Sequence, residues 1–445
     1  MRRALWIFLS LYAAVLFSLV SKLSLWLDEL IDLTQIQNHD LAGLIAYVPV
    51  NAGGVPLNYL IRFASVHLLG YSRFSERLPS LLFSLAACAG VFVLARRLKL
   101  SYPLLSILIF CSAPLQFRYA LESRPYSQAL AISIWATVVF LDLLTRVTWV
   151  RVFLYSLVAL AGLYTQPFTI FVPLAHLVWL CFTVSSNKRR LLLFTGGAIA
   201  LAGLAFVPWY LSALHLWSQS MAAHKTYAIG LRAAPMIVRE LVGAGYPGSV
   251  FTLCLASIGL TTGLSNNKDR SFWALYTLLP ILLAVSADAI FGYFLAIRQM
   301  IFILTPLALL AALGLETLMR RSRGWGIAAA SLLIVTFLIG NVRFFQRPRE
   351  NWRSASAILE NLTARGSCVW FIPADSIDFY RFFAPQLPQH ACPSDVHGPG
   401  AIAVAISPYG ATGAANIIKQ LSENGFIQKA EFNPQGPRIE LYERK

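Results

Sequence analysis

Long apolar runs separated by short polar loops constrain this chain more than any other feature of its sequence. Hydrophobic residues make up 57% of the 445 residues and charged residues only 13%, which is roughly half the charged fraction of a soluble protein. A soluble core could not bury so many runs, so the sequence predicts a polytopic α-helical membrane protein. We place about eleven transmembrane helices, at residues 4–20, 77–95, 102–117, 125–145, 151–166, 168–184, 191–213, 248–265, 271–291, 299–318 and 325–341.

The basic residues fall in clusters between these runs, and six clusters come to one side of the membrane if eleven spans are drawn. They are Arg2-Arg3, Arg96-Arg97-Lys99, Arg146 with Arg151, Lys188-Arg189-Arg190, Lys268 with Arg270, and Arg320-Arg321-Arg323. The positive-inside rule makes that side cytoplasmic. We therefore expect a multi-pass protein of the plasma membrane, with its N-terminus in the cytoplasm and its C-terminal segment outside.

The formal net charge is +16, which in a soluble protein would indicate a nucleic-acid partner. Because the basic clusters here flank apolar runs, they indicate membrane topology and contact with anionic membrane lipids instead. We expect no nucleic-acid partner.

The composition changes after Gly340, and the remainder is polar enough to form a soluble domain. Helical and strand patterns alternate there, at 354–364 (helix), 368–373 (strand), 401–406 (strand), 414–423 (helix) and 439–442 (strand). This alternation predicts a small α/β domain at 342–445, following a transmembrane domain at 1–341 with a long first outer loop at 22–76. The small domain has no glycine-rich nucleotide fingerprint, so we assign it no cofactor.

The six cysteines do not form a disulfide framework. Four lie in apolar runs and are expected to be packing residues: Cys88, Cys111, Cys181 and Cys254. Cys368 and Cys392 lie in the predicted outer domain and could pair in an oxidising compartment. The sequence leaves that pairing open, because it does not show whether the two Cα atoms come close enough.

Three carboxylates, Asp28, Glu29 and Asp32, directly follow the first apolar run. Asp28 and Asp32 are four residues apart and would share one face of a helix. Like charges that close repel each other unless a cation, a proton or a substrate group lies between them. The same pattern is also typical of a polar collar where a helix leaves the bilayer, and spacing alone does not decide between the two.

The predicted outer loops contain arginines, against the usual charge bias of outer loops. An anionic phosphate would explain them, because the planar guanidinium group matches its geometry. Structural explanations remain open at two places. Glu122 and Arg124 could pair with each other at a helix end, and Arg298 could extend towards lipid head groups.

The apolar residues of 56–69 recur at helical spacing around Arg62 and His67, which predicts a helix lying in the membrane interface. The histidines His67, His176 and His215 are isolated in sequence and are expected to be packed or interfacial. No stretch has the spacing of a zinc motif, so no metal-ligating residues are assigned.

Four stretches carry a family resemblance through their order and spacing. They are Leu25-Trp-Leu-Asp28-Glu29; Val55-Pro-Leu-Asn-Tyr-Leu-Ile through Gly70 and Arg77-Leu-Pro-Ser80 to Ala95-Arg-Arg97; Tyr119-Ala-Leu-Glu122-Ser-Arg124-Pro-Tyr126; and Arg298-Gln-Met-Ile to Pro306-Leu-Ala-Leu-Leu, with Asn351-Trp-Arg-Ser-Ala355. Together they resemble the bacterial dolichyl-phosphate-mannose protein mannosyltransferase-like family (glycosyltransferase family 39, ArnT-like) of the GT-C glycosyltransferases. The resemblance covers most of 20–130 and 295–360, whereas 150–290 is similar only in hydropathy.

The resemblance implies a GT-C fold and a hexosyl- or pentosyl-type glycosyltransferase. Such an enzyme moves a sugar from a polyprenyl-phosphate donor to a lipid, glycan or protein acceptor at the outer face of the membrane. An acceptor hydroxyl needs a base at the moment of attack, and we assign that role to Asp28 in a single inverting displacement. Glu29 would hold the acceptor or tune Asp28.

The leaving group in such a reaction is a lipid phosphate, which needs cations to stabilise its developing charge. The residues assigned to bind it are Arg298, Arg124, Arg118 and Lys225. Glu122 and Tyr126 are assigned to orient the substrate or these arginines. Gly54 stands where the family often has a histidine, so one metal or substrate ligand is missing, and a divalent cation stays open as a cofactor.

Two other functions fit parts of the sequence. A transporter or flippase of a lipid-linked sugar would explain the hydropathy and the outer arginines, but it predicts charges in mid-span and internal repeats, and the sequence has neither clearly. A non-catalytic assembly or scaffold protein is a third possibility, which Gly54 in place of the family's histidine leaves open. The position of the acidic cluster, at the predicted outer edge of the membrane, favours the enzyme.

Overall fold

The structure is a computed structural model that describes residues 2–50, 54–183, 188–224, 233–291, 296–347, 349–392, 400–408 and 411–445. Its contacts divide the chain into two compact units. The membrane unit comprises the residues up to Val20 together with Leu41–Phe345. The C-terminal unit comprises Ser21–Asp40 and Gln346–Lys445. Part of the predicted first outer loop thus belongs to the C-terminal unit, and the domain boundaries inferred from sequence stay a prediction.

The membrane unit is helical throughout the part that the structure describes. Its helices are α1 (Arg2–Val20), α3 (Leu41–Tyr47), α4 (Pro56–Leu69), α5 (Arg73–Arg97), α6 (Pro103–Ser112), α7 (Pro114–Ala120), α8 (Tyr126–Thr145), α9 (Trp149–Thr165), α10 (Phe171–Phe182), α11 (Lys188–His224), α12 (Ala233–Glu240), α13 (Gly245–Ile258), α14 (Asn267–Phe291), α15 (Leu304–Arg321) and α16 (Arg323–Gln346). Helix α2 (Leu27–Asn38) belongs to the C-terminal unit. A 3-10 helix, Ile297–Ile303, leads into α15.

Among the described residues, seven helices are long and apolar enough to cross a membrane, and two bent pairs raise that number to nine. The pairs are α6 with α7, bent by 71°, and α12 with the helix that follows it, bent by 80°. The two remaining predicted spans lie on α9 and α10, which are apolar but shorter. The chain is therefore a multi-pass helical membrane protein, as predicted, and the count of eleven spans stays a prediction.

The two bends have a local cause and are joined to each other. Ala113 precedes Pro114 and takes a non-helical backbone with φ −57° and ψ 121°, as the residue before a proline commonly does. In the other bend, Gly243 has φ +77°, and a Cβ there would lie 2.5 Å from Leu115 N. Leu115 N donates to Val242 O at 3.0 Å. The close approach of the two bends therefore requires glycine at position 243.

Helix α4 has the bounds expected of the amphipathic stretch, but Arg62 does not lie on an exposed face. The Arg62 side chain is 1% exposed and pairs with Glu76, which is fully buried. The neighbouring Arg77 is also fully buried, and its Nη1 donates to Val20 O at 2.8 Å. Helix α5 supplies the Glu76 carboxylate, which the sequence pattern of α4 cannot show. The interfacial position of α4 stays a prediction.

The isolated histidines behave as expected where they can be compared. His176 is fully buried, stacks on Phe140 with ring centroids 4.2 Å apart, and lies 2.9 Å from the hydroxyl of Tyr155. Among the free cysteines, Cys88 and Cys111 are buried, whereas Cys181 and Cys254 are exposed on their helices. The packing role predicted for the latter two was wrong, because apolar helices in a membrane protein also present an outward face.

The C-terminal unit contains a four-stranded mixed sheet. Its strands are β1 (Cys368–Ile372), β2 (Ala401–Ile406), β3 (Phe426–Phe432) and β4 (Arg438–Arg444), and its helices besides α2 are α17 (Trp352–Ala364), α18 (Ile377–Arg381) and α19 (Ala411–Glu423). The strand order is β1-β2-β4-β3. β1 pairs with β2 in parallel, and the other two pairs are antiparallel. The predicted small α/β domain is thus present.

Strand β3 is the one element of this sheet that the sequence did not predict. It forms an edge of the sheet, and only Phe426 of its residues is buried, with Lys429 and Glu431 exposed. It also pairs irregularly, with a register shift between Gln428 and Ala430. Charged residues and a bulge are typical of edge strands, and both weaken the alternating pattern by which a strand is recognised.

Cys368 and Cys392 form a disulfide in the C-terminal unit, with their Cα atoms 4.9 Å apart. Cys392 N also donates to Val369 O at 2.9 Å, next to Cys368 on β1. The segment after α18 therefore joins β1 at two neighbouring points. The sequence left open whether Cys368 and Cys392 pair, and the structure shows that they do.

Candidate active site

The acidic stretch forms the first turn of helix α2. Trp26 is the N-cap, and Asp28 and Glu29 lie in the first turn, where carboxylates interact favourably with the free amides of a helix start. Trp26 N donates to Glu29 Oε2 at 3.4 Å, so Glu29 caps its own helix.

The three carboxylates differ in exposure. Glu29 is fully buried and Asp32 is 2% exposed, whereas Asp28 is partly exposed. A solvated polar collar would expose all three, so this burial argues against it. Asp28 is the carboxylate of this group that a substrate could reach most directly.

A fourth carboxylate, Glu350, contacts the same stretch. Its Oε2 accepts from Leu27 N at 2.6 Å and from Trp352 Nε1 at 2.8 Å. Burial raises the pKa of Glu350 above its ordinary value, and the nearby charge of Asp28 raises it further. The C-terminal unit thus gathers Asp28, Glu29 and Glu350 around the start of α2.

The predicted cationic residues form a cluster in the membrane unit. Arg118 Nε lies 3.0 Å from Oε1 of the fully buried Glu122. The Arg118 guanidinium also lies over the rings of Tyr119, at 5.3 Å, and Phe344, at 5.5 Å. From the sequence, Glu122 could pair with Arg124. In the structure, Glu122 pairs with Arg118, which lies four residues earlier in the chain.

Arg298 belongs to the same cluster. It lies on the 3-10 helix before α15 and is partly buried. Its guanidinium lies 6.0 Å from the ring centroid of Tyr126, and the rings of Tyr126 and Tyr119 are 4.6 Å apart. Arg298 and Arg118 thus lie against neighbouring tyrosine rings.

Local chain geometry brings these residues together. Arg118 is in the last turn of α7, the short turn 121–125 follows, and Tyr126 opens α8. Within that turn, Arg124 N donates to Glu122 O at 2.9 Å. The fully buried Glu122 thus lies between two helix ends and next to the guanidinium of Arg118.

The predicted site residues divide between the two units. Asp28 and Glu29 belong to the C-terminal unit, and Arg118, Glu122, Arg124, Tyr126 and Arg298 to the membrane unit. Lys225 lies outside the described residues. Among the residues that the structure describes, no three His, Cys, Asp or Glu side chains are grouped so that they could hold a metal ion.

Sequence reasoning missed Glu350 and Tyr119 as members of these clusters. Tyr119 had a signal, since it opens the stretch Tyr119–Tyr126 on which the family resemblance partly rests. Glu350 directly precedes the similar stretch Asn351–Ala355. Its contact with Leu27 joins positions more than 320 residues apart, and no spacing rule in a single sequence can find such a pair.

Comparisons with solved structures extend over nearly the whole chain. ArnT from Cupriavidus metallidurans bound to undecaprenyl phosphate is similar with a TM-score of 0.63 at 12% identity, covering 98% of this chain and 97% of that chain. The apo state of the same protein gives a TM-score of 0.59 at 12% identity, covering 99% and 98%. The chain has the GT-C glycosyltransferase fold.

A second GT-C protein supports the same fold. The archaeal oligosaccharyltransferase AglB from Archaeoglobus fulgidus, in complex with an inhibitory peptide and a dolichol-phosphate, gives a TM-score of 0.53 at 10% identity. The match covers 98% of this chain and 74% of that chain. No family model matches the sequence, and no curated protein sequence matches it either. The GT-C fold implied by the sequence resemblance is therefore confirmed by structural similarity alone.

Proposed function

We propose that this protein is a membrane glycosyltransferase that transfers a sugar from a polyprenyl-phosphate donor to an acceptor. The observation that carries the proposal is the likeness, over nearly the full length of both chains, to ArnT bound to undecaprenyl phosphate. The resemblance to AglB, bound to dolichol-phosphate, adds a second GT-C protein with a polyprenyl-type phosphate. A hexosyl- or pentosyl-type sugar and a lipid, glycan or protein acceptor follow from the sequence resemblance.

In the proposed reaction, Asp28 is the general base. The acceptor oxygen attacks the anomeric carbon, the bond from that carbon to the phosphate oxygen breaks, and the anomeric configuration inverts. The hydroxyl proton passes to Asp28 as the new bond forms. Partial exposure of Asp28 supports this role over Glu29, which is buried and caps α2. Glu29 then acts by fixing the turn that carries Asp28.

The cationic cluster would bind the donor phosphate. Arg298 and Arg118, each over a tyrosine ring, would stabilise the negative charge that grows on the leaving phosphate. Arg124 and Lys225 are further candidates for this role. Glu122 holds Arg118 through their ion pair, and Tyr126 supports Arg298, so both would orient the phosphate-binding groups.

The basic clusters support an inner-membrane location with the N-terminus inside and residues 342–445 outside the cytoplasm. A reporter enzyme that is active only outside the cytoplasm should be active when fused after Lys445. The same reporter fused near Asn187 should be silent. Activity at Asn187 and silence at Lys445 would reverse the topology and move Asp28 to the wrong side.

The activity is tested by incubating the purified protein with radiolabelled polyprenyl-phosphate sugars and an extract of cell-envelope acceptors. A glycosyltransferase releases free polyprenyl phosphate and moves the label to the acceptor. A transporter or flippase moves the intact donor across proteoliposomes without releasing polyprenyl phosphate. An assembly protein does neither. Donor movement without release would therefore contradict the proposal.

A further inference from the structure

Glu350 is joined to the start of helix α2 at two points. Its side-chain Oε2 accepts from Leu27 N, the first amide of α2, at 2.6 Å. Its backbone carbonyl accepts from Ser24 Oγ at 2.7 Å. The same Oε2 accepts from Trp352 Nε1 at 2.8 Å, and Trp352 is fully buried. The stretch from Ser24 to Leu27 is thus held at both ends by one residue.

The surroundings of Glu350 are themselves firmly held. Asn351 caps α17 by accepting from Ser354 N at 3.1 Å, and Asn351 N donates to Gln435 O at 2.7 Å. Gly436 has φ +102°, and a Cβ there would lie 2.8 Å from Glu350 Cγ. A helix cap on one side and a close glycine on the other therefore fix where the Glu350 side chain can lie.

A carboxylate at this place acts directly on the proposed base. It occupies one of the amides that a helix start leaves without an intrahelical partner, and its charge suits the positive end of the helix. Asp28 follows Leu27 in the chain, so a shift of the Leu27 main chain moves the Asp28 carboxylate with it. Small displacements of a reacting group can cost about 10²-fold in rate.

Burial of the Glu350 carboxylate is unfavourable for its charged form. Burial raises the pKa of Glu350, with a further contribution from Asp28. A raised carboxyl pKa means that the group's contribution to stability is complete below the ordinary carboxyl pKa and is lost as the pH rises through the raised value. Burial therefore opposes the charged form of Glu350, whereas the hydrogen bonds from Trp352 Nε1 and Leu27 N favour it. Proteins keep such groups where function requires them.

We propose that Glu350 is a positioning residue for Asp28, holding the first turn of α2 through the Leu27 amide so that the Asp28 carboxylate meets the acceptor hydroxyl. The inference rests on the proposed function and adds to it a residue outside the family-like stretches. It makes the segment before α17 a part of the catalytic apparatus.

The test compares Glu350→Ala and Glu350→Gln in the full-length protein, with Glu360→Ala as control. Glu360 is an exposed glutamate on α17. Alanine removes the acceptor for Leu27 N, and we expect kcat to fall by about 10–10²-fold with little change in KM for the donor. Glutamine keeps an acceptor oxygen and the shape, and should restore most of the rate. The probe is the radiolabelled polyprenyl-phosphate sugar on which the unsubstituted protein releases most polyprenyl phosphate.

Two measurements separate positioning from general stability. Amide hydrogen exchange in the peptide spanning residues 24–32 should accelerate by about tenfold or more in Glu350→Ala and return towards normal in Glu350→Gln, because the acceptor for Leu27 N is lost only in the first. The thermal midpoint at pH 7.5 should not fall in Glu350→Gln, since the neutral amide avoids the burial of a charge.

The outcomes are distinct. If the folded Glu350→Ala protein transfers sugar at the normal rate, or exchange at 24–32 is unchanged, Glu350 does not position Asp28. If glutamine is as damaging as alanine, the hydrogen bond to Leu27 is not what matters, and the inference is also overturned. If the unsubstituted protein releases no polyprenyl phosphate from any donor, the proposed function fails, and hydrogen exchange alone then decides whether Glu350 holds α2.

Discussion

Asp28→Asn should lower sugar transfer by about 10²–10⁴-fold, which is the usual contribution of a general base. Asparagine has nearly the shape of aspartate but cannot accept a proton at neutral pH. Donor binding should change little, because the amide keeps the contacts and reduces repulsion with the donor phosphate. The measurement is release of polyprenyl phosphate at saturating donor, with donor affinity determined separately.

The neighbouring carboxylates provide matched controls for this substitution. Glu29→Gln should cost less than Asp28→Asn, because the buried Glu29 acts on Trp26 N and an amide oxygen can still accept that bond. Asp32→Asn should change transfer little, because the Asp32 carboxylate is only 2% exposed and out of reach of an acceptor, and asparagine keeps its shape and one acceptor oxygen.

Two results would correct the assignment of the base in different ways. If Asp28→Asn transfers normally while Glu29→Gln is inactive, the stretch is right and the base is Glu29. If both variants are fully active on a verified substrate, the carboxylates are structural and the proposed mechanism is wrong.

Much of the architecture could be predicted from sequence because it follows from apolar length and periodicity. The helix at 56–69 and the strand at 401–406 have the bounds that their patterns predict. Such sequence patterns depend on neighbours within a few residues. Prediction from the pattern failed at β3, because charged residues and a bulge are tolerated in an edge strand and obscure the alternation of apolar and polar residues.

The candidate site was predictable only where its residues lie close in sequence. Arg118 and Glu122 are four apart on one turn, so their pairing follows from helical geometry. Arg62 with Glu76 and Leu27 with Glu350 are set by tertiary packing. Neither pair was predicted from the sequence. In both pairs, the partner is a carboxylate from another segment of the chain. The residues next to Arg62 or Leu27 in the sequence do not indicate that partner.

Arg298→Ala should raise the dissociation constant for polyprenyl phosphate by about 10–10²-fold. Hydrogen bonds to charged groups contribute about 1.5–3 kcal/mol, and each 1.4 kcal/mol corresponds to about tenfold in affinity. Arg298→Lys should restore binding only in part, because an ammonium group lacks the bidentate fork. The measurement is equilibrium binding of labelled undecaprenyl phosphate to the purified full-length protein.

Arg321→Ala is the control, since Arg321 is exposed at the end of α15, the helix that the Arg298 segment leads into. It removes the same charge and should leave binding unchanged.

A further variant, Tyr126→Leu, tests whether the ring under the guanidinium supports Arg298. We expect it to weaken binding by only a few-fold, since cation–π contacts contribute about 0.5–2 kcal/mol. In the double variant with Arg298→Ala, the Tyr126 effect should largely disappear, because the ring acts through Arg298. If Arg298→Ala binds the lipid phosphate normally, Arg298 only contacts head groups. If the two effects simply add, Tyr126 acts independently of Arg298, and the ring does not support the phosphate-binding guanidinium.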